Sequence, residues 1–263
     1  MPELPEVETV VRSIMPLITG HRIEEAHFYS KLVTRGNFKS FAKSLQGSAI
    51  ESVSRIGKHI VVKLDRGSLH LHLGMTGKLL WNVEPGNYTR AIFRLDNGTL
   101  IYDDIRQFGR VSYSDKLPSA IGRLGPDALA VNFDSFFLSL HKHHCSLKSL
   151  LLNQRFVSGI GNIYADEILF AAGIHPKAKA SRLSKRRALK LYEEMGRILQ
   201  TAIEHRGSSI SDYVDSNGVK GGFQLLHRVY GKAGSDCDRC GTSIVRIVIA
   251  QRGTHYCPRC QRP

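Results

Sequence analysis

Long apolar runs are missing from this chain: no stretch approaches the roughly 20 residues that a membrane-spanning helix needs. A basic leader with an apolar centre is missing too, because the opening MPELPEVE is acidic and proline-rich, so we expect no signal peptide and an intracellular protein. Cysteine is scarce over most of the length. Four of the five lie in the last 27 residues, which excludes a disulfide scaffold spread through the fold. Acid is the minority charge: 23 Asp and Glu stand against 37 Lys and Arg, giving a formal net charge of +14. Such an excess says nothing about fold, but it favours a polyanionic partner, most simply nucleic acid. The apolar fraction of 42% and the length of 263 residues are ample for a real core and for more than one domain.

The clustered cysteines read as a metal site. Cys237-Asp238-Arg239-Cys240 and Cys257-Pro258-Arg259-Cys260 are two C-x2-C knuckles separated by sixteen residues. Four thiolates close the tetrahedral shell of one Zn²⁺ and leave no open position, so the ion is expected to be structural. Two disulfides are the competing reading, disfavoured in an intracellular chain. Between the knuckles, Ser243–Ala250 alternates as a strand and Gln251-Arg252-Gly253 reads as a turn, which predicts a β-hairpin with Arg252 at its tip. Cys145 stands alone and is expected to be a small buried hydrophobe.

Upstream the chain is helical. Ala188, Leu191, Met195, Ile198, Leu199 and Ala202 recur at helical spacing from Ser184 to His205, and Gly207 follows the end. Ahead of this helix, Lys177 to Lys190 holds seven basic residues and no acid, a run that reads first as a solvated face. Leu147–Phe156 is also helical in pattern. It leads into Ser158-Gly159-Ile160-Gly161-Asn162, where two glycines precede a helix running to about Ala172. A helix start with close-approach glycines offers backbone N–H groups and a positive dipole end to a phosphate. A glycine turn between two packed helices would look the same.

The first half is β-rich. From Arg55 to Trp81 the pattern alternates, with Leu69, Leu71 and Leu73 on one face and His70 and His72 on the other. Asp96-Asn97-Gly98 between Thr89–Leu95 and Thr99–Asp104 is a hairpin turn. A sandwich or flattened barrel is expected, bounded from the helical half within Pro118–Asp134. In front of it, Val7, Val10, Val11, Ile14, Leu17 and Ile18 mark a helix face, with Pro5, Glu6 and Glu8 suited to its first turn.

Helix building does not account for Pro2 and Glu3. Removal of Met1 ahead of a proline would leave Pro2 with a free secondary amine. An α-amino group has a pKa near 8, against about 10.4 for lysine, so it can attack as a nucleophile at neutral pH. Attack on a sugar C1′ would give an iminium ion with no N–H to lose. That cation acidifies the C2′ proton and promotes elimination of phosphate. Glu3 could protonate the sugar ring oxygen as a general acid. With Met1 retained, the Pro2 nitrogen is an unreactive tertiary amide.

Together the opening Pro2-Glu3-Leu4-Pro5-Glu6-Val7-Glu8, the Gly161-Asn162-Ile163-Tyr164 helix start and the terminal four-cysteine hairpin resemble formamidopyrimidine-DNA glycosylase, in that family's order and over nearly the whole chain. The resemblance implies an α+β protein with three parts. These are an N-terminal β-sandwich catalytic domain with a leading helix (1–133), a helix-two-turn-helix DNA-binding domain (134–234) and a zinc finger (235–263). It implies a bacterial, cytoplasmic, monomeric base-excision repair enzyme, associated with the nucleoid through DNA. Such an enzyme flips 8-oxoguanine and formamidopyrimidines out of double-stranded DNA, excises them through a proline Schiff base and cleaves the abasic strand by β,δ-elimination. Pro2 matches the nucleophile, Glu3 the acid and Lys58 the phosphate-contacting lysine that assists elimination. Glu6 matches the residue near the flipped nucleotide, Lys148 the one linked to oxidised purines, and His72, Asn162 and Arg252 backbone-phosphate ligands.

Extrusion leaves a hole in the duplex, and the resemblance places Met75, Arg106 and Phe108 there: two apolar wedges and a donor for the orphaned base. Taken alone, Met75 and Phe108 would be core residues. Ile105 replaces the proline often found before that arginine. The glycine-rich stretch Ser208–Phe223 matches a lesion-capping loop, with Val219, Lys220 and Gly221 near the base. Two other readings stand beside this one. One is an endonuclease VIII-type enzyme for oxidised pyrimidines, against which Leu4-Pro5 and the Met75, Arg106 and Phe108 set argue. The other is a non-catalytic, zinc-containing nucleic-acid-binding protein.

Overall fold

The computed structural model describes residues 1–210 and 212–262. They form two compact units, one made of Met1–Gly122 with His205–Gln224, the other of Arg123–Glu204 with the residues from Leu225 onward.

In the first unit, helix α1 (Leu4–Ile18) forms where the apolar stripe predicts it, and it buries Val7, Val10, Val11, Ile14 and Ile18. Glu3 is its N-cap and Pro5 sits at the second helical position, where the missing N–H costs nothing. Eight strands follow: β1 (Ile23–Phe28), then, after helix α2 (Phe38–Leu45), β2 (Ile50–Ile56), β3 (His59–Leu64), β4 (Ser68–His72), β5 (Gly77–Trp81), β6 (Thr89–Leu95), β7 (Gly98–Asp104) and β8 (Arg110–Ser114). They make two four-stranded sheets, ordered β1-β6-β7-β5 and β2-β3-β4-β8, with all pairs antiparallel. Leu95 pairs with Gly98 across the Asp96–Asn97 turn, as the sequence predicts.

Inward residues of both sheets and the α1 stripe join one core, among them Val53, Ile60, Val62, Leu69 and Leu71 from one sheet and Ala91, Phe93, Leu100 and Tyr102 from the other. Full burial of each such aliphatic side chain is worth about 1.5–3 kcal/mol. Tyr213, from the returning segment, belongs to the same core. The short helix α3 (Ser119–Gly122) ends the unit's first stretch.

The second unit carries α4 (Phe133–His141), α5 (Leu147–Leu152), α6 (Asn162–Ala172), α7 (Lys185–Glu204) and the hairpin β9 (Val245–Ile249)–β10 (Arg252–Tyr256). Helix α6 stops at Gly173, whose φ of 68° is the left-handed C-cap that glycine adopts without strain.

Four local expectations need correction. Glu3, expected to lie outside helix building, is the N-cap of α1 and closes a capping box with Glu6, whose carboxylate accepts the Glu3 N–H. Cys145 is exposed rather than buried, because it sits on the connection just ahead of the Ser146 cap of α5. That helix ends at Leu152, not Phe156, since Asn153 adopts an extended C-cap conformation. The hairpin turn is Ala250–Gln251, both at positive φ (49° and 58°), so Arg252 opens β10 opposite Ile249 instead of forming the tip.

Candidate functional site

The predicted nucleophile and acid of the first unit lie at the start of α1. Pro2 is buried, and Glu3 is 2% exposed behind an exposed Met1. Glu6, itself 1% exposed, accepts the Glu3 backbone N–H at 2.7 Å through one carboxylate oxygen and the Ser208 N–H at 2.7 Å through the other. Tyr213 donates its hydroxyl to the Glu6 carbonyl at 3.2 Å. A Cβ on Gly207 would stand 2.6 Å from the Glu6 carboxylate, and at φ +74° no other residue fits easily. One buried side chain thus ties the predicted nucleophile–acid pair to the root of the 208–223 loop.

The described residues of that loop are tied together by hydrogen bonds despite its glycine content; Ser211 lies outside the described residues. Ser209 donates to the Tyr213 carbonyl at 2.7 Å, and Asp215 accepts the Asn217 and Val219 amides at 3.0 and 2.9 Å. The Gly221 amide is taken by the Ser209 hydroxyl at 2.9 Å. Of the three positions predicted to face a base, Val219 and Gly221 therefore have their amides engaged within the loop, while the Lys220 side chain is exposed.

Lys58 lies in the two-residue connection between β2 and β3 and is 7% exposed. Arg55 holds this corner against α1 by donating to Glu8 at 2.9 Å and to the Gly57 carbonyl at 2.9 Å. His72 ends β4, and its ring centroid is 4.8 Å from that of His59. The Gly74 N–H donates to its Nδ1 at 3.1 Å, so the neutral ring carries its proton on Nε2. Burial, then the nearby His59, Lys58 and Arg110, lower its pKa to about 4. At neutral pH it is a hydrogen-bond donor without charge.

The three predicted wedge residues share one frame. Met75 is 41% and Phe108 52% exposed, so neither is a core residue, and the Arg106 guanidinium lies 4.7 Å from the Phe108 ring centre. Their loops are locked by Asp104, which is fully buried. Its carboxylate accepts from Thr76 at 2.6 Å and from the Gly109 N–H at 2.8 Å, while Thr76 accepts the Arg106 N–H at 3.1 Å. Gly74 at φ +60° lets the Met75 loop touch the Phe108–Gly109 backbone, where a Cβ would meet Gly109 N at 2.5 Å. Asp104 and Thr76 were not singled out from the sequence. As a strand end and a loop residue they carry no periodic signal.

In the second unit, Asn162 opens α6 and donates its amide to the Gly253 carbonyl at 3.0 Å, fastening β10 to the helix start. Lys148 is fully buried. Its ammonium reaches the Asn162 carbonyl at 2.9 Å and Asp166 at 2.6 Å. The other Asp166 oxygen accepts the His255 N–H at 2.9 Å and lies 3.2 Å from His255 Nδ1. Glu167, 1% exposed, accepts the backbone N–H groups of Arg228, Val229 and Tyr230 at 2.8–3.0 Å. Asp166 is the residue the sequence hid. It falls one turn after Asn162, but its partner Lys148 is a tertiary neighbour. Arg252 is exposed on the strand that this network holds.

The four Sγ atoms of Cys237, Cys240, Cys257 and Cys260 lie within 4.8 Å of one another, with Cys237–Cys260 at 3.9 Å and Cys240–Cys257 at 3.5 Å. Tetrahedral zinc with Zn–S bonds of about 2.3 Å brings sulfurs to roughly this spacing, so the residues fit one structural Zn²⁺.

A β-sandwich led by a proline–glutamate helix start, together with a helical unit bearing a four-cysteine hairpin, defines a zinc-finger enzyme of nucleic acid. Residues 1–111 match the family model for the formamidopyrimidine-DNA glycosylase N-terminal domain, 124–214 that for its H2TH domain, and 234–263 that for a zinc finger found in FPG and IleRS. The chain is 50% identical to the formamidopyrimidine-DNA glycosylase of Solibacter usitatus (strain Ellin6076) over 100% of both chains, and 40% identical to that of Bacillus subtilis (strain 168) over 99% of both. The crystal structure of the MutM (FPG) protein from Thermus thermophilus superposes with a TM-score of 0.90 at 39% identity, covering 99% of this chain and 98% of that one. The Lactococcus lactis Fpg protein bound to abasic-site DNA matches with a TM-score of 0.91 at 35% identity, covering 99% and 100%. The chain belongs to the formamidopyrimidine-DNA glycosylase family.

Proposed function

We propose that the protein is a bifunctional DNA base-excision repair enzyme that removes 8-oxoguanine and formamidopyrimidines and then cleaves the strand. The observation that carries the reading is the Glu6 carboxylate, which joins the Glu3 backbone to the root of the 208–223 loop. It holds a nucleophile–acid pair beside a segment suited to closing over an extruded base. After loss of Met1, the Pro2 amine forms a bond to C1′ as the base leaves with a proton, and Glu3 protonates O4′ as the sugar opens. The iminium ion then loses a C2′ proton as the 3′ phosphate departs, and δ-elimination expels the 5′ phosphate. Lys58 and neutral His72 bind phosphate, with Lys58 also assisting elimination.

Met75, Arg106 and Phe108 fill the vacated stack. Asn162 and Arg252 grip the backbone, and Val219, Lys220 and Gly221 cap the base once it is bound. Lys148 acts on purine processing through Asp166 and Asn162, since its own ammonium is enclosed. The zinc hairpin is structural. We assign the chemistry to 1–133, the helical DNA contacts to 134–234 and the finger to 235–263, and place the enzyme in the bacterial cytoplasm.

Borohydride reduction in the presence of an 8-oxoguanine duplex, followed by peptide mapping, tests this. The expected adduct is on Pro2 of protein lacking Met1. No adduct, with duplex binding intact, makes the protein a binder only. Trapping on thymine glycol but not on 8-oxoguanine makes it a pyrimidine enzyme.

A further inference from the structure

The basic run from Lys177 to Lys190 is the one strong sequence feature that the reaction leaves unused. It covers the turn before α7 and that helix's first residues, all in the second unit. Lys177, Lys179, Arg182, Lys185, Arg186 and Lys190 are exposed, and none of their charged groups has a partner among the described residues. The seventh, Arg187, is half-buried and donates to the Arg262 carbonyl at 2.9 Å. The backbone beneath is not a loose tail: Ala180, Leu183 and Ala188 are buried at 0%, 3% and 0% exposure. The cations are therefore displayed from a fixed support.

Helix stability does not account for them. The dipole of a helix favours acid at its start and base at its end. In α7 the order is inverted, because no acid lies in the first turn and no base in the last. Lys185, Arg186, Arg187 and Lys190 crowd the start, while Glu193, Glu194 and Glu204 occupy the later part. Only there are charges matched, with Arg197 bound to Glu194 at 2.6 Å. Solubility would be served equally well by interspersed pairs. An unpaired, one-sign patch on a rigid base is what a polyphosphate backbone fits.

We infer that the surface carrying Lys177, Lys179, Arg182, Lys185, Arg186 and Lys190 is a second DNA-backbone contact, separate from the lesion-binding residues and indifferent to sequence. The inference rests on the reading of the protein as a DNA enzyme. Its contacts are with phosphates, so it raises affinity for undamaged duplex and makes that affinity steeply salt-dependent. Each phosphate engaged adds about 0.9 to the slope of log affinity against log salt.

Lysine acylation footprinting with an undamaged duplex tests it on the full zinc-loaded protein. Lys177, Lys179, Lys185 and Lys190 are expected to lose reactivity several-fold on DNA addition, while Lys39 and Lys43, exposed on α2, keep theirs. The variant K177Q/K179Q/K185Q/K190Q is expected to lower the salt slope by at least about 1 and at most roughly 3.6. Unprotected patch lysines overturn the inference, and so does an unchanged slope. A parallel footprint on an 8-oxoguanine duplex separates the two levels through Lys220 of the proposed capping loop: if it is protected there while the patch is not, the enzyme reading stands and the second surface falls. If neither is protected and no lesion is excised, the DNA reading itself has failed.

Discussion

Glu6 in the first unit and Glu167 in the second are both 1% exposed, and each directs its carboxylate at backbone N–H groups, at least one of them far away in sequence. Glu6 divides its two oxygens between separate segments, the Glu3 amide and the Ser208 amide. Glu167 concentrates on one run, Arg228 to Tyr230, ahead of the cysteine hairpin. The first arrangement couples two segments, and the second staples one segment down. The first unit exposes Met75 and Phe108 above the buried carboxylate of Asp104. The second encloses its polar ones, Lys148 and Asp166, at 0% side-chain exposure. On the function proposed above, the chemistry belongs to the coupled unit, while the second unit's buried polar groups are spent on holding its hairpin.

Removing zinc tests the stapled unit most severely. Structural zinc contributes on the order of 10 kcal/mol to folding in small fingers. Chelation, or Cys257→Ser, is expected to release one ion per chain and to abolish amide-exchange protection in β9 and β10. Protection that survives metal loss would show that the His255 N–H bond to Asp166 and the Asn162 bond to the Gly253 carbonyl suffice.

Next comes Lys148→Met, which strands the Asp166 charge in the interior. Breaking a buried pair in this way costs about 3–5 kcal/mol. The melting temperature should fall sharply, and adding Asp166→Asn should restore part of the loss. If Lys148→Met melts normally and only excision suffers, the lysine is a lesion contact and not a brace.

Acid should weaken both units. Burial lowers the pKa of His227 in the second unit, like that of His72 in the first, to about 4. Both rings are neutral in the folded protein but take up protons on unfolding below their usual pKa of about 6.5. Stability from each is complete above that value and is lost as pH falls towards 4, at most roughly 3 kcal/mol per ring. Denaturant titrations of His72→Gln and His227→Gln across this range should each flatten the pH dependence. An unaltered slope in either variant removes that histidine from the account.

Gly207→Ala probes the coupling directly. The substitution forces a Cβ towards the Glu6 carboxylate at an unfavourable φ, costing about 1–3 kcal/mol. Excision is expected to fall more than DNA affinity does, because the Glu3 end and the loop root shift together. Equal losses would mean that the Glu6 bridge only stabilises the fold.

Much of this was legible in the residues. Periodicity located α1 and α7, flanking glycines located α6, the Asp-Asn-Gly turn fixed the β6–β7 register, and the cysteine spacing marked the metal site. What stayed hidden were partners that meet only on folding. Asp104 reads as a strand end, Asp166 as one more helical acid and Tyr213 as a loop aromatic, yet these three organise the Met75 and Phe108 loops, the hairpin and the 208–223 segment. Local pattern encodes the face a residue presents and leaves open which residue it meets. The Lys148 expectation shows the limit: the motif marks the position, but only the structure reveals that its charge is consumed by Asp166.

The smallest expected stability effect separates two accounts of Met75 and Phe108. As core residues, truncation to alanine would cost about 2–5 kcal/mol. As exposed wedges, 41% and 52% accessible, they should cost less than about 0.5 kcal/mol. Single-turnover excision by Phe108→Ala should nevertheless fall at least about tenfold, equivalent to roughly 1.4 kcal/mol of lost transition-state stabilisation. The loss should shrink on duplexes whose lesion is already unpaired, since less stacking then has to be replaced. A variant that melts early, or one impaired equally on paired and unpaired lesions, would place Phe108 in the scaffold and leave the duplex to be opened by some other group.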